Sequence, residues 1–226
     1  FWSWPAQIVY KRPLLRPRQL ILKNLRINFV YAEYQGYYMA KLVQQMSLSQ
    51  RVMLSGHSYG AISAATAAHW LGGGCLRGLT LAGGDPVERP NFRIGMISGA
   101  FDNDALLPGQ RYGQALVAAE KLYVSRNCRD STLRRWSDVS YRGRRAIGVT
   151  GLNANLLGQY RNKLCQQTLT TDVGKSHYLG PHLQSRRFVA ALCCLSFPNC
   201  PNCQPPVAAT AEVANKVGNK IAQTHD

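Results

Sequence analysis

Apolar residues change their spacing several times along the chain, and each change marks an element. From about Ile27 to Met46 they recur at helical intervals, with Val30, Tyr34, Tyr37, Tyr38, Leu42 and Val43 forming the stripe of one long helix. Arg51 to Leu54 is a short apolar strand that runs at once into a glycine-bounded turn, Gly56–Gly60. Ala61 to Leu71 is alanine-rich and helical, and Gly72-Gly73-Gly74 stops it. The alternation then repeats. Leu76 to Leu81 and Phe92 to Ser98 read as strands, Tyr112 to Glu120 as a helix and Lys121 to Ser125 as a strand. Ala146 to Thr150 is a further possible strand, and Arg186 to Leu195 is a closing helix. Phe1 to Pro5 has the pattern of a strand end, with Trp2 and Trp4 on one face. Alternating strands and helices predict an α/β chain: a mostly parallel sheet with helices on both faces. Its main domain spans 1–197; a Pro/Cys-rich turn region and a weakly helical or flexible tail occupy 198–226.

Charge changes this picture only at the surface. The 226 residues hold 27 Lys+Arg against 11 Asp+Glu, a formal charge of +16. Such a charge attracts polyanions, but the basic residues are scattered and no base-stacking aromatic motif accompanies them, so nucleic acid is not the expected partner. The longest apolar run, Ala61 to Leu71, is interrupted by Ser63, Thr66 and His69 and is too short to span a bilayer. Seven cysteines are an odd number for a disulfide framework. Cys75, Cys128 and Cys165 are expected as buried or half-buried thiols. Cys193, Cys194, Cys200 and Cys203 cluster, but an adjacent pair makes a poor clip for tetrahedral zinc, so a local disulfide or free thiols is the expectation.

Candidate chemistry centres on Gly56-His57-Ser58-Tyr59-Gly60. A GxSxG match gains meaning from its surroundings, and here a strand precedes it and a small-residue helix follows, as a nucleophile elbow requires. The tight turn leaves no space for side chains at its flanks, hence the glycines. Ser58 is the candidate nucleophile, and the Tyr59 backbone N–H, at the positive end of the helix, is a candidate oxyanion donor. Serine needs a histidine base held by a carboxylate. Of five histidines, His57 lies inside the elbow, His69 near the end of its helix and His225 in the tail. His177, in the Gly174-Lys175-Ser176-His177 loop, is preferred as base over His182, which also reads as a surface-loop residue. For the acid, Asp130 follows a strand through the turn Arg126-Asn127-Cys128-Arg129 and is preferred. Asp102 and Asp104 compete, and Arg126 or Arg129 could instead claim Asp130 as an ion-pair partner.

Several of these segments together resemble uncharacterised bacterial proteins of the α/β-hydrolase superfamily. The resemblance runs through Trp2-Ser3-Trp4-Pro5, Gly36-Tyr37-Tyr38, Gly56-His57-Ser58-Tyr59-Gly60-Ala61 and His69-Trp70-Leu71-Gly72-Gly73-Gly74. It continues in Leu106-Leu107-Pro108-Gly109, Asn127-Cys128-Arg129-Asp130, Ile147-Gly148-Val149-Thr150-Gly151-Leu152 and Gly174-Lys175-Ser176-His177. It implies an α/β-hydrolase fold in which Ser58, Asp130 and His177 fill the nucleophile, acid and base positions. Such proteins also carry earlier strands and a His-Gly loop that donates a second oxyanion N–H. No His-Gly pair occurs here, so the chain is expected to lack its first strands and that donor, worth about 2.7–4 kcal/mol of transition-state stabilisation. Cys128 stands where proline would be commoner.

The expectation is therefore a serine hydrolase acting on a small-molecule ester or similar acyl substrate, without metal or organic cofactor. The alternative is a non-catalytic protein of the same fold whose basic surface binds an anionic partner. Substrate identity and oligomeric state stay open at this level.

Overall fold

Parallel strands cannot be joined by tight hairpins, so each must be followed by a crossover, and this chain is built from such crossovers. In the computed structural model, which describes residues 17–196, four strands form one all-parallel sheet in the order β1-β2-β3-β4. Chain order runs α1 (Pro17–Gln44), β1 (Arg51–His57), α2 (Tyr59–Leu71), β2 (Asn91–Ile97), α3 (Ala115–Ala118) and β3 (Lys121–Arg126). It continues through α4 (Trp136–Val139), α5 (Ile147–Thr150), β4 (Leu164–Thr168), α6 (Thr170–Val173), α7 (Leu179–Gln184) and α8 (Arg186–Ser196). The chain is thus α/β. Side chains alternate across the sheet as the period of 2 demands. Val52, Leu54, Phe92, Ile94, Met96, Leu122 and Val124 face the core that α1 and α2 complete. Met53, Ile97 and Tyr123 face Phe188 and Leu195 of α8 on the other side.

Small residues seat α1 on α2. Ala32 and Ala40 are buried, and a Cβ added at Gly36 would lie 1.9 Å from Thr66 Oγ1 and 2.6 Å from the Ser63 carbonyl. Ser63 Oγ donates to the Ala32 carbonyl at 2.8 Å across the same contact. The aromatic stripe expected to bury this helix does so only in part: Tyr34, Tyr38 and Leu42 are exposed, because bulky side chains would hold the two backbones apart.

Other expectations are corrected. Leu76 to Leu81 is not a strand; Leu76 and Leu79 form a lone antiparallel bridge closed by Arg77 and Gly78, both at positive φ, as a tight reversal requires. Ala146 to Thr150 is not a strand either, since Ile147–Thr150 is one helical turn; short apolar runs fit both periods. The helix expected over Tyr112 to Glu120 is confined to Ala115–Ala118. Strand β4 escaped notice because Leu164-Cys165-Gln166-Gln167-Thr168 is polar, with Gln166 holding the Leu152 N–H and Gln167 accepting from Tyr123 Oη. Cys75, Cys128 and Cys165 are exposed rather than buried, so these thiols pack no core. Cys193 and Cys194 are free thiols on α8. Trp2, Trp4, Cys200, Cys203, His225 and the 198–226 segment lie outside the described residues. Among the described residues no helix is long and apolar enough to cross a membrane.

Candidate active site

Strand β1 delivers the chain to a turn only a compact residue can enter. At Gly56 an added Cβ would stand 2.0 Å from the Gly60 carbonyl oxygen and 2.5 Å from Ala61 N. Ser58, between β1 and α2, has φ 55 and ψ −118, a conformation that costs on the order of 1–3 kcal/mol unless the surroundings impose it. They do: Ser58 N donates to the Ile97 carbonyl at 3.0 Å, and Ala100 N donates to the Ser58 carbonyl at 3.2 Å. Both bonds tie the turn to the end of β2. Tyr59 opens α2, so its N–H has no carbonyl one turn earlier to bond within the helix. Its side chain lies back along the protein, donating to the Leu25 carbonyl at 3.1 Å, and burial pushes the phenol's pKa up.

Two loops from the same sheet edge converge on Ser58. His177 Nε2 lies 2.9 Å from Ser58 Oγ, and His177 Nδ1 lies 2.7 Å from Asp130 Oδ2. Asp130 is fully buried while His177 keeps 17% of its side chain exposed, so the imidazole can be reached from solvent and the carboxylate cannot. The second carboxylate oxygen, Oδ1, accepts from the N–H groups of Thr132 at 3.0 Å and Leu133 at 2.8 Å. With one oxygen turned to the backbone, the other faces the imidazole. Neither Arg126 nor Arg129 claims Asp130: Arg126 is bonded to Thr168 Oγ1 and the Thr150 carbonyl. The competing carboxylates are engaged elsewhere, Asp102 with the Trp136 indole N–H at 2.8 Å and Asp104 with Arg142 and Arg144.

The loop that carries His177 is held by side chains at consecutive carbonyls. Asn127 Nδ2 donates to Gly174 O at 2.9 Å and to Ser176 O at 3.3 Å, and Ser131 Oγ donates to Lys175 O at 3.1 Å. His57 Nε2 donates to His177 O at 2.7 Å, and His182 Nδ1 to Tyr178 O at 3.0 Å. Those carbonyl partners define both tautomers. His182 Nε2 is left as an acceptor for the hydroxyl of Ser98, 3.0 Å away. Burial depresses the pKa values of His57 and His182, which favours their neutral rings and, in His182, leaves Nε2 able to accept from Ser98. His182, expected at the surface, is instead fully buried. The supports Asn127, His57 and His182 were missed as such, although Asn127 stands in the Asn-Cys-Arg-Asp turn and His57 inside the elbow.

No family model, curated protein or solved structure matches the chain. What the site can do follows from its own atoms. A hydroxyl, an imidazole and a buried carboxylate are hydrogen-bonded in series beside the N-terminus of a helix. Such a series can draw a proton from the hydroxyl and hold the imidazolium that results.

Proposed function

We propose that this protein is a serine hydrolase of the α/β-hydrolase fold that cleaves an ester or similar acyl bond. The observation that carries the reading is the unbroken Ser58–His177–Asp130 hydrogen-bond series on a serine in a left-handed strand-to-helix turn. Ser58 Oγ attacks the substrate carbonyl while His177 Nε2 takes its proton, and Asp130 holds Nδ1–H and balances the new charge. The tetrahedral oxyanion forms at the start of α2, where the Tyr59 N–H and the helix dipole favour negative charge. Collapse expels the alcohol or amine, which takes the proton back from His177, and leaves an acyl group on Ser58. Water then adds to that ester with His177 again as base, releasing the acid and restoring the serine. The chain order Ser, Asp, His and parallel strands lying side by side in sequence order both suit this fold.

The test is covalent. A fluorophosphonate probe incubated with the full chain labels Ser58, identified by mass spectrometry of the modified peptide, and Ser58→Ala removes the label. Labelling that persists unchanged in Ser58→Ala, or that never occurs in the folded protein, refutes the proposal.

A further inference from the structure

Beside the Ser58 turn lies a cavity of about 350 Å³. At about 30 Å³ per water it could hold roughly ten to twelve non-hydrogen atoms. It opens between α1 and the loops that follow β2 and β3, at the sheet edge that also carries Ser58. Two links join it to the nucleophile. Ala100, bonded through its N–H to the Ser58 carbonyl, immediately precedes the cavity residue Phe101. Trp136, another cavity residue, packs its ring 6.4 Å from that of Tyr59.

The lining has a definite chemistry. Its inner wall is aromatic, with Phe101 and Tyr112 fully buried. Four arginines also line it, Arg26, Arg77, Arg111 and Arg142, against a single carboxylate, Asp102, which is occupied by the Trp136 indole. Glu33 and Asp104 are each shared by two guanidiniums: Glu33 bonds both Arg77 and Arg111, and Asp104 both Arg142 and Arg144. Arg26 is directed at the Val139 carbonyl, 3.4 Å away, and stacks 4.5 Å from the Tyr141 ring centre. Arg111 and Arg142 keep 42% and 47% of their side chains exposed, so the positive charge sits where the apolar chamber meets solvent. Apolar walls inside and guanidiniums outside fit a ligand with an apolar body and a terminal anion.

We propose that this cavity selects substrates for Ser58 that carry a carboxylate on an aromatic or compact apolar body, the guanidiniums of Arg26 and Arg142 holding the anion. The assignment of the bound molecule as substrate rests on the serine-hydrolase reading; the anion preference of the cavity does not. Two measurements separate them. By calorimetry on the full chain carrying Ser58→Ala, 4-phenylbutyrate binds at least about tenfold more tightly than the matched neutral 4-phenylbutyramide. Adding Arg26→Met and Arg142→Met, which keep much of the apolar stem, brings the two ligands within about twofold. The single variants Arg26→Met and Arg142→Met each give a partial loss and serve if the double variant does not fold, whereas Arg161→Met, at an exposed site away from the cavity, keeps the full preference. Equal affinity for acid and amide, or a preference that survives every cavity-arginine variant, overturns the site. In the protein with Ser58 intact, saturating 4-phenylbutyrate slows fluorophosphonate labelling several-fold. Tight binding that leaves labelling untouched overturns the substrate assignment. Absence of any labelling without ligand refutes the hydrolase reading alone, and the calorimetry still decides the cavity.

Discussion

Replacing Asp130 by asparagine changes one atom, and the surrounding hydrogen bonds determine how that atom must sit. Oδ1 accepts from the Thr132 and Leu133 N–H groups at 3.0 and 2.8 Å, while Oδ2 faces His177 Nδ1 at 2.7 Å. An asparagine amide turned with NH₂ toward Thr132 and Leu133 would set donors against donors in a fully buried site. The amide oxygen therefore takes that side and the NH₂ group points at His177. Nδ1 must then accept, which moves the imidazole proton to Nε2 and aims it at Ser58 Oγ. The base has become a donor, so it cannot remove the serine proton. In a serine protease the same exchange lowered kcat by about 10⁴. Here we expect Asp130→Asn to lower kcat by at least about 10², a barrier increase of roughly 2.7 kcal/mol, with KM changed little. The assay is p-nitrophenyl acetate turnover, after thermal melts establish that the variant is folded. Asp102→Asn and Asp104→Asn should stay within about tenfold, since these residues serve Trp136 and the Arg142–Arg144 pair. Normal turnover by Asp130→Asn, with either of the others crippled, would show that the tautomer argument concerns the wrong carboxylate.

Three further outcomes follow from the geometry. His57→Ala removes the donor to the His177 carbonyl and should lower kcat about tenfold with KM within twofold, while His57→Gln, whose amide can reach that carbonyl, should recover most of the rate; a matched change in KM and kcat would argue against a positioning role. Gly56→Ala drives a Cβ into the Gly60 backbone and should destabilise by about 3 kcal/mol or more, read as a shifted denaturation midpoint; a near-wild-type midpoint would mean the turn is looser than described. Burial lowers the pKa values of His57, His69 and His182 below the ordinary 6.5, so the unfolded chain binds protons that the folded one resists. Their stabilising effect is complete above about pH 6.5 and declines as pH falls below it, so the melting temperature should drop between pH 7.5 and 5.5. Measured in 0.5 M salt, which screens repulsion within a +16 chain, a flat or rising melting temperature would refute this.

Local patterning made some of this protein legible before any fold was known. The elbow was readable because strand, turn and helix are contiguous and each constrains its neighbours: an apolar run to Leu54, glycines at 56 and 60, then alanines. Strands β2 and β3 and helix α8 were readable because an apolar run or a helical stripe shows in the sequence itself. Position after a strand favoured Asp130 over Asp102 and Asp104, and loop placement favoured His177 over His182, but a pattern with a period of two or 3.6 residues reports only which face of an element is apolar. It carries no information about which side chain will meet which across a crossover. The Ser58–His177 contact spans 119 positions and the His177–Asp130 contact 47, and both exist only because parallel strands bring their carboxyl-terminal loops to one edge. The same distance in sequence hid the roles of Asn127, His57 and His182 as holders of the His177 loop, since each acts on a carbonyl that no residue type announces. Strand β4 was hidden because its glutamines are satisfied by partners from elsewhere in the fold. Tertiary contact also changed the expectation for α1: Tyr37 packs on Trp70 of α2, but Tyr34 and Tyr38 are exposed and the closest approach is made by Ala32, Gly36 and Ala40, because close approach of two backbones favours the smallest side chains, which a hydrophobicity pattern weights least.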